Sequence, residues 1–231
     1  MTIQDFLIIP ATAEHTHYAE AICDEMFESA KARGTGIARR KPEYVANKME
    51  EGKAVIALHK DGRWAGFCYI ETWSHGDYVA NSGLIVNPEF RKVGLAKAIK
   101  HRVFQLSREK YPTSKIFGLT TGLAVMKINS DLGYEPVTYS ELTQDEEFWK
   151  GCRSCVNYDI LISKDRKNCM CTAMLWYPVE KEKELQEKLQ RKQEAKERLE
   201  RISKKQSLLK RIEAKLWKSV KKFTTTVVTA G

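Results

Sequence analysis

Residues 84–98, LIVNPEFRKVGLAKA, constrain the chain more than any other stretch. The apolar run Gly83-Leu84-Ile85-Val86 reads as the end of a strand. Asn87-Pro88 turns it, Arg91-Lys92-Val93-Gly94-Leu95-Ala96 follows, and a helical pattern continues to about Arg108. A strand that breaks into a short basic turn and then a helix aims backbone N–H groups and the positive helix end at one point. That geometry suits an anion. Gly94 lets the backbone approach it closely, Ala96 keeps the first helical turn uncluttered, and Arg91 and Lys92 add positive charge.

The flanking pattern gives the order β-α-α-β-β-β-α-β-α. Phe6-Leu7-Ile8-Ile9 reads as a strand ended by Pro10. A helix runs from about 12 or 13 to 33, with Tyr18, Ile22, Met26 and Phe27 at helical spacing. After the loop Arg33-Gly34-Thr35-Gly36, Pro42 opens a second helix with Tyr44, Val45 and Met49 inward. Residues 54–58 and 64–72 read as strands around a Lys60-Asp61-Gly62 hairpin signal. Strands at 78–86 and 116–120 and a helix at 125–132, stopped by Gly133, complete the series.

Arg91-x-x-Gly94-x-Ala96, preceded by Leu84-x-Val86-x-Pro88, resembles the acyl-CoA signature of the GNAT N-acyltransferases, R/Q-x-x-G-x-G/A after a strand reading L-x-V-x-P. The resemblance covers about residues 5 to 139. It implies an α/β GNAT fold: a mixed, mostly antiparallel sheet, splayed between its fourth and fifth strands and flanked by helices. It implies acetyl-CoA or another acyl-CoA as co-substrate, with its pantetheine arm in the splay. The implied backbone contacts to that arm fall on Leu84 and Val86. Those to the pyrophosphate fall on Arg91, Lys92, Val93, Gly94, Leu95 and Ala96.

The resemblance departs from the family where chemistry matters. Members commonly end in a segment like A-x-x-L-Y-x-x-L-G-F, whose tyrosine protonates the departing thiolate. Here Leu132-Gly133-Tyr134 matches the end, but Asn129 occupies the tyrosine position. An amide is no general acid near neutral pH, though Asn129 can still hydrogen-bond the thiolate or a pantetheine amide. Transfer to an amine also needs a base, for which Glu71 is the first candidate and His75 the second. The alternatives are a solvated strand-end charge and a surface loop residue.

The acceptor site is expected between the two N-terminal helices. Arg33, Arg39, Arg40 and Lys41 lie on that connection, and an arginine fork pairs both oxygens of a carboxylate. The alternative is a solvated basic loop. RGTGIARRKPEYVANKM and the later SGLIV and IFGLTTGLAVMKIN segments are together similar to short GNAT proteins of arginine biosynthesis, thought to acylate the amino group of glutamate. A small primary amine, glutamate first, is therefore the expected substrate. Acylation of a protein amine and a CoA-holding module without turnover are the alternatives.

Cys152-x-x-Cys155 and Cys169-x-Cys171 form a candidate four-thiolate zinc set. If residues 163–168 turn 157–162 back onto 170–175 as paired strands, Cys155 falls ~20 Å from Cys169, so a bulged turn is needed. Small buried apolar residues are the alternative. Cys23 and Cys68 read as core residues.

Residues 179–231 carry 16 of the 39 basic and 8 of the 30 acidic residues, leaving 23 and 22 in the rest. The basic balance is a property of this tail, so no nucleic acid is expected for the catalytic domain. The tail reads as a long helix from 180 to about 222. Leu185, Leu189, Leu199, Ile202, Leu209, Ile212, Leu216 and Val220 form an imperfect heptad-like stripe. Trp217 and Phe223 lie at its basic end, which suits a homodimer, an acidic partner, nucleic acid or a membrane surface, and the alternative is a solvated helix with a weak self-association stripe. The expected division is a GNAT domain at 1–178 and a tail at 179–231. No apolar run reaches 18 residues, and residues 1–12 lack the basic start of a signal peptide. Cytoplasm is the default expectation, with reduced cysteines.

Overall fold

The computed structural model describes residues 1–34, 39–179 and scattered positions between 183 and 201. The chain divides into two compact units, Met1–Lys181 and Glu182–Gly231. In the second, the described positions are helical and exposed, Leu199 among them. The rest of the leucine stripe, with Trp217 and Phe223, lies outside the described residues, as do Thr35 and Gly36. No helix among the described residues is long and apolar enough to cross a membrane.

The first unit is built on a seven-stranded sheet. Strand β1 (Phe6–Pro10) leads to a 3-10 turn, Ala13–Tyr18, that continues into α1 (Ala19–Ala32). The expected single helix is therefore two pieces. Helix α2 (Pro42–Glu50) has its proline in the first turn, where a missing N–H costs nothing. Strands β2 (Ala54–His59), β3 (Trp64–Trp73) and β4 (Tyr78–Val86) form an antiparallel meander. Helix α3 (Leu95–Lys110) crosses over to β5 (Lys115–Thr120), which runs parallel to β4. After α4 (Leu123–Asp131) come β6 (Glu135–Val137), α5 (Glu146–Lys150), α6 (Tyr158–Ser163) and β7 (Thr172–Trp176). The strand order is β1-β2-β3-β4-β5-β7-β6, antiparallel except for β4 and β5.

Residues 157–162 do not form the expected hairpin strand. Tyr158–Ser163 is helix α6, and β7 pairs with β5 and β6 instead. A β7 buried between two strands takes its partners from the sheet, so 157–162 is left to pack as a helix through Leu161.

Period-2 alternation sends the sheet's side chains to two cores. On one face Val55, Cys68, Val79 and Val86 meet Ile99, Val103 and Leu106 of α3. On the other, Ile56, Phe67, Tyr69 and Ile85 meet Ile22 and Met26 of α1 and Val45 and Met49 of α2. A third cluster joins Ala80, Phe117 and Leu175 to Trp149 of α5 and Leu161 of α6. Fully burying one such large apolar side chain is worth about 1.5–3 kcal/mol.

Two features of β4 open the sheet. Phe67 pairs with Ile85 and Tyr69 with Ser82, so Gly83 and Leu84 together stand opposite Cys68 as a bulge. Gly83 has φ +64, and a Cβ there would lie 2.4 Å from the Tyr69 ring, so glycine is required. Three residues before the bulge, after Ala80, β4 parts from β5. The two pair only from Tyr78–Lys115 to Ala80–Phe117, while β4 runs on to Val86 and β5 to Thr120.

Candidate functional site

The parted strands open into one cavity of about 1480 Å³. Its walls include Asn81 to Val86 of β4 and Phe117 to Thr120 of β5. One end is the turn before α3, the other the α1–α2 connection with the segment around α5.

The α3 end is built locally. Asn87 caps the 3-10 turn Pro88–Phe90 by accepting from the Glu89 N–H at 3.1 Å, and Phe90 anchors that turn in the core. Lys92 and Gly94 then take left-handed backbone, φ +68 and +84. Gly94 caps the 16-residue α3, whose first N–H groups have no acceptor within the helix. A Cβ on Gly94 would meet nothing within 4 Å, so the space above this backbone is open to a ligand. Arg91, Lys92, Gly94, Leu95 and Ala96 line the cavity, with Leu84 and Val86. Val93 instead packs against the α3-face core.

Arg91 is held rather than mobile. Its Nε donates to the Val86 carbonyl at 3.1 Å, and its Nη2 donates to Glu25 at 2.9 Å and Ser29 at 2.7 Å. It fastens the turn to α1.

At the other end Glu71 is 9% exposed and lines the cavity. Its carboxylate accepts from the Tyr44 hydroxyl and, at 3.0 Å, from Ser82 Oγ. Beside it Arg40 Nε donates to Tyr69 Oη at 2.5 Å. Burial, with the Glu71 charge next in size, raises the Tyr44 hydroxyl far above its ordinary value, so Tyr44 donates to the carboxylate and stays neutral. Arg33, Arg39, Arg40 and Lys41 line the mouth, joined by Lys150 and Arg153 from the α5 segment. Arg39 stacks on Phe27 at 4.3 Å, and its N–H donates to Ser154 Oγ at 3.3 Å, joining the two segments. Glu43 and Glu71 are the acidic residues of the lining, so this mouth is cationic.

Asn129 lies deeper, 1% exposed, with Nδ2 3.7 Å from Met174 Sδ and its buried Oδ1 without a partner among the described residues. It lines the cavity.

Two expected sites are corrected. His75 is exposed in the β3–β4 turn, at φ +55, outside the cavity, because β3 extends to Trp73 and carries the turn past the opening. The four cysteines gather in one region, where Cys169, Cys155 and Cys152 each act on Cys171, but among the described residues no group of three or more His, Cys, Asp or Glu is placed to hold a metal. Without the hairpin, Cys152, Cys169 and Cys171 pack against the cluster around Trp149 and Leu161. Burial pushes the Cys152 thiol up to about 11 and the Cys171 thiol to about 12. Cys155 Sγ accepts from the Asn157 N–H at 3.5 Å, and Cys169 Sγ donates to the Asn157 carbonyl at 3.7 Å.

Several cavity residues carry no local sequence signal. Tyr44, Ser82, Lys150 and Arg153 belong to separate segments that only the fold brings together. Lys100 had a signal: a lysine one position after Ile99, on the inward side of an amphipathic helix.

No family model matches the chain. Thialysine N-epsilon-acetyltransferase of Caenorhabditis elegans is 26% identical over 147 residues, 62% of this chain and 89% of that protein. N-acetylglutamate synthase of Neisseria gonorrhoeae, solved with coenzyme A and N-acetyl-glutamate, aligns at a TM-score of 0.53 and 16% identity, over 74% of this chain and 35% of its own. A Mycobacterium tuberculosis protein solved in complex with CoA aligns at 0.53 and 19%, over 74% of this chain and 98% of its own. The chain thus spans about a third of the Neisseria synthase and nearly all of the Mycobacterium protein. These likenesses show the fold, which is the GNAT fold that the motif implied.

Proposed function

We propose that the chain is a GNAT N-acyltransferase that moves an acetyl or other short acyl group from acyl-CoA to the primary amine of an amino acid, glutamate first. The observation that carries this reading is the single cavity, with an anion-binding helix N-terminus at one end and a buried carboxylate under a cationic mouth at the other.

The pyrophosphate sits over Gly94, Leu95 and Ala96, where open N–H groups and the helix dipole meet it. The pantetheine arm lies along β4, which has no β5 partner from Asn81 onward. Its amides take backbone bonds at Leu84 and Val86. This runs the thioester from Val86 toward Ser82, beside Glu71. The arginines and lysines of the mouth hold the carboxylates of the acceptor and so place its amine at the thioester carbon. Glu71 takes a proton from the ammonium, directly or through one water, and the freed lone pair attacks. A relative named for thialysine N-epsilon-acetylation and a fold neighbour bound to coenzyme A and N-acetyl-glutamate support the cofactor and the acceptor class.

One observation favours a CoA-holding module without turnover: Asn129, where the family carries a tyrosine. A thiol-release assay with acetyl-CoA separates the readings. Glutamate is expected to give the highest kcat/KM, aspartate and thialysine lower values, and polyamines or peptide N-termini little release. Release with polyamines or peptides alone would overturn the amino-acid assignment. CoA binding with no release from any amine would support the module.

A further inference from the structure

Asn81 and Ser82 are consecutive residues of β4, so their side chains lie on opposite faces of the sheet. They follow Ala80, the last β4 residue paired with β5, and thus stand where the two strands part. On the acceptor face Ser82 holds Glu71. On the α3 face Asn81 Oδ1 accepts from Lys100 Nζ at 3.3 Å and from Tyr134 Oη at 3.0 Å, and Asn81 Nδ2 donates to Ser107 Oγ at 2.7 Å.

Lys100 is 2% exposed and lines the cavity. Its partners are the Asn81 amide oxygen and the face of Tyr134, whose centroid is 5.2 Å from Nζ. Among the described residues no carboxylate pairs with it. A buried cation without an acidic partner is costly, and an anion arriving in the cavity would remove that cost.

We infer that Lys100 is the proton donor to the departing thiolate, an assignment that rests on the acyl-transfer reading above. The ammonium's first proton has by then passed through Glu71 to solvent; the neutral amine's attack forms the C–N bond while Glu71, again ionised, takes the second proton from nitrogen. As the C–S bond breaks, the sulfur receives both electrons and takes a proton from Lys100 Nζ, and CoA leaves as the free thiol. The proton on Glu71 returns to Lys100 through solvent between turnovers. Acid and base thus act from opposite faces of one strand, through adjacent residues.

The chemistry around Nζ suits this role. Burial lowers Lys100 to about 8, so its ammonium is a ready donor near neutral pH. The titratable groups packed on it are Cys68 of β3, raised to about 11 by burial, and Tyr134, raised well above its ordinary value by burial; both stay neutral. Asn81 and Ser107 carry no charge. The Asn129 amide has no proton to give at this pH.

The test is Lys100→Met in the full chain, with thiol release from acetyl-CoA and glutamate followed against pH and CoA affinity measured by calorimetry. The variant is expected to lose ~10²–10⁴-fold in kcat with CoA affinity and the KM for the amine unchanged. Wild-type kcat is expected to fall above about pH 8, where Lys100 loses its proton, and the variant's profile is expected to be flat there. Lys100→Arg keeps a cation of higher pKa and should move that alkaline limb upward, which keeps the inference testable if the methionine variant does not fold. Wild-type kcat with an unmoved limb in the variants overturns the inference while leaving the acyl-transfer reading intact. So does a loss confined to CoA affinity. Absence of thiol release by the wild type with every amine overturns both.

Discussion

The two ends of the cavity are assembled in different ways. The cofactor end comes from one continuous stretch, in which strand, turn and helix follow each other from Leu84 to Ala96. The acceptor end draws Glu71 from β3, Tyr44 from α2, Ser82 from β4, cations from the α1–α2 connection, and Lys150 and Arg153 from α5 and the turn after it. A locally built site has its geometry written into backbone preferences, such as the left-handed Gly94 and the proline-led turn. A site built from distant segments has its geometry written into packing, here the stacking of Arg39 on Phe27 and its bond to Ser154. The first should fail through single backbone changes, the second through single charges.

The largest expected effect is at the acceptor end. Glu71→Gln keeps the shape and can still accept from Tyr44 and Ser82, but it cannot take the amine's proton. A kcat loss of ~10²–10⁴-fold is expected at unchanged CoA affinity. Wild-type turnover in this variant, measured by thiol release, would remove Glu71 as the base.

Next is a stability effect in α3, whose Lys100 bonds Asn81 of the strand that joins the two ends. Burial holds Lys100 at about 8 in the folded chain against 10.5 for the free side chain. The unfolded chain therefore binds more protons between about pH 8 and 10.5, and stability must rise across that window. Below it the charged amine costs the folded state on the order of 3 kcal/mol. Denaturant melts of Lys100→Met should show a gain of that order at pH 7 and no rise between pH 8 and 10.5. A wild-type stability that is flat with pH would contradict this account of the buried amine.

At the cofactor end, Gly94→Val forces a branched residue to φ +84 and puts a side chain into open space above the helix N-terminus. The backbone strain is about 1–3 kcal/mol, and a turn that relaxes out of its present geometry to relieve it should lose ~5–150-fold in CoA affinity. Arg91→Ala should weaken CoA less than Gly94→Val, because Arg91 is engaged with Glu25, Ser29 and Val86. A larger loss in Arg91→Ala, read by calorimetry, would show that the guanidinium turns to the phosphates instead.

The smallest effect is one charge of the cationic mouth. Arg39→Ala should raise the KM for glutamate by roughly tenfold, at the lower edge of about 1.5–3 kcal/mol for a charged hydrogen bond. The KM for an amine lacking a carboxylate should not move. Equal changes for both would assign Arg39 to positioning of the loop.

Legibility in the sequence follows the same division. The five strands from β1 to β5 and the α3 turn could be read because alternation, hairpin residues and helix starts are short-range signals. The motif named residues that line the α3 end of the cavity, except that Val93 packs into the core and Arg91 is held against α1. Of the two candidate bases, Glu71 reached the cavity and His75 did not, since the difference depends on how far β3 runs before turning. The cysteine spacing suggested a metal and a hairpin; α6 stands in place of the hairpin, and Cys152, Cys169 and Cys171 pack against the third cluster. Lys150 and Arg153 could not be found, because nothing local brings residues beyond 145 to a loop near residue 39. Lys100 was readable as a charge on an apolar helix face, yet its meaning depends on the parting of β4 from β5.

On the proposed reading both substrates occupy one cavity together and react directly. Initial rates of thiol release, with acetyl-CoA and glutamate varied against each other on the full chain, test it most directly. Direct attack in a ternary complex predicts double-reciprocal lines that intersect, with no thiol released in a burst before the amine is added. Parallel lines with such a burst, or no dependence of release on the amine, would contradict it.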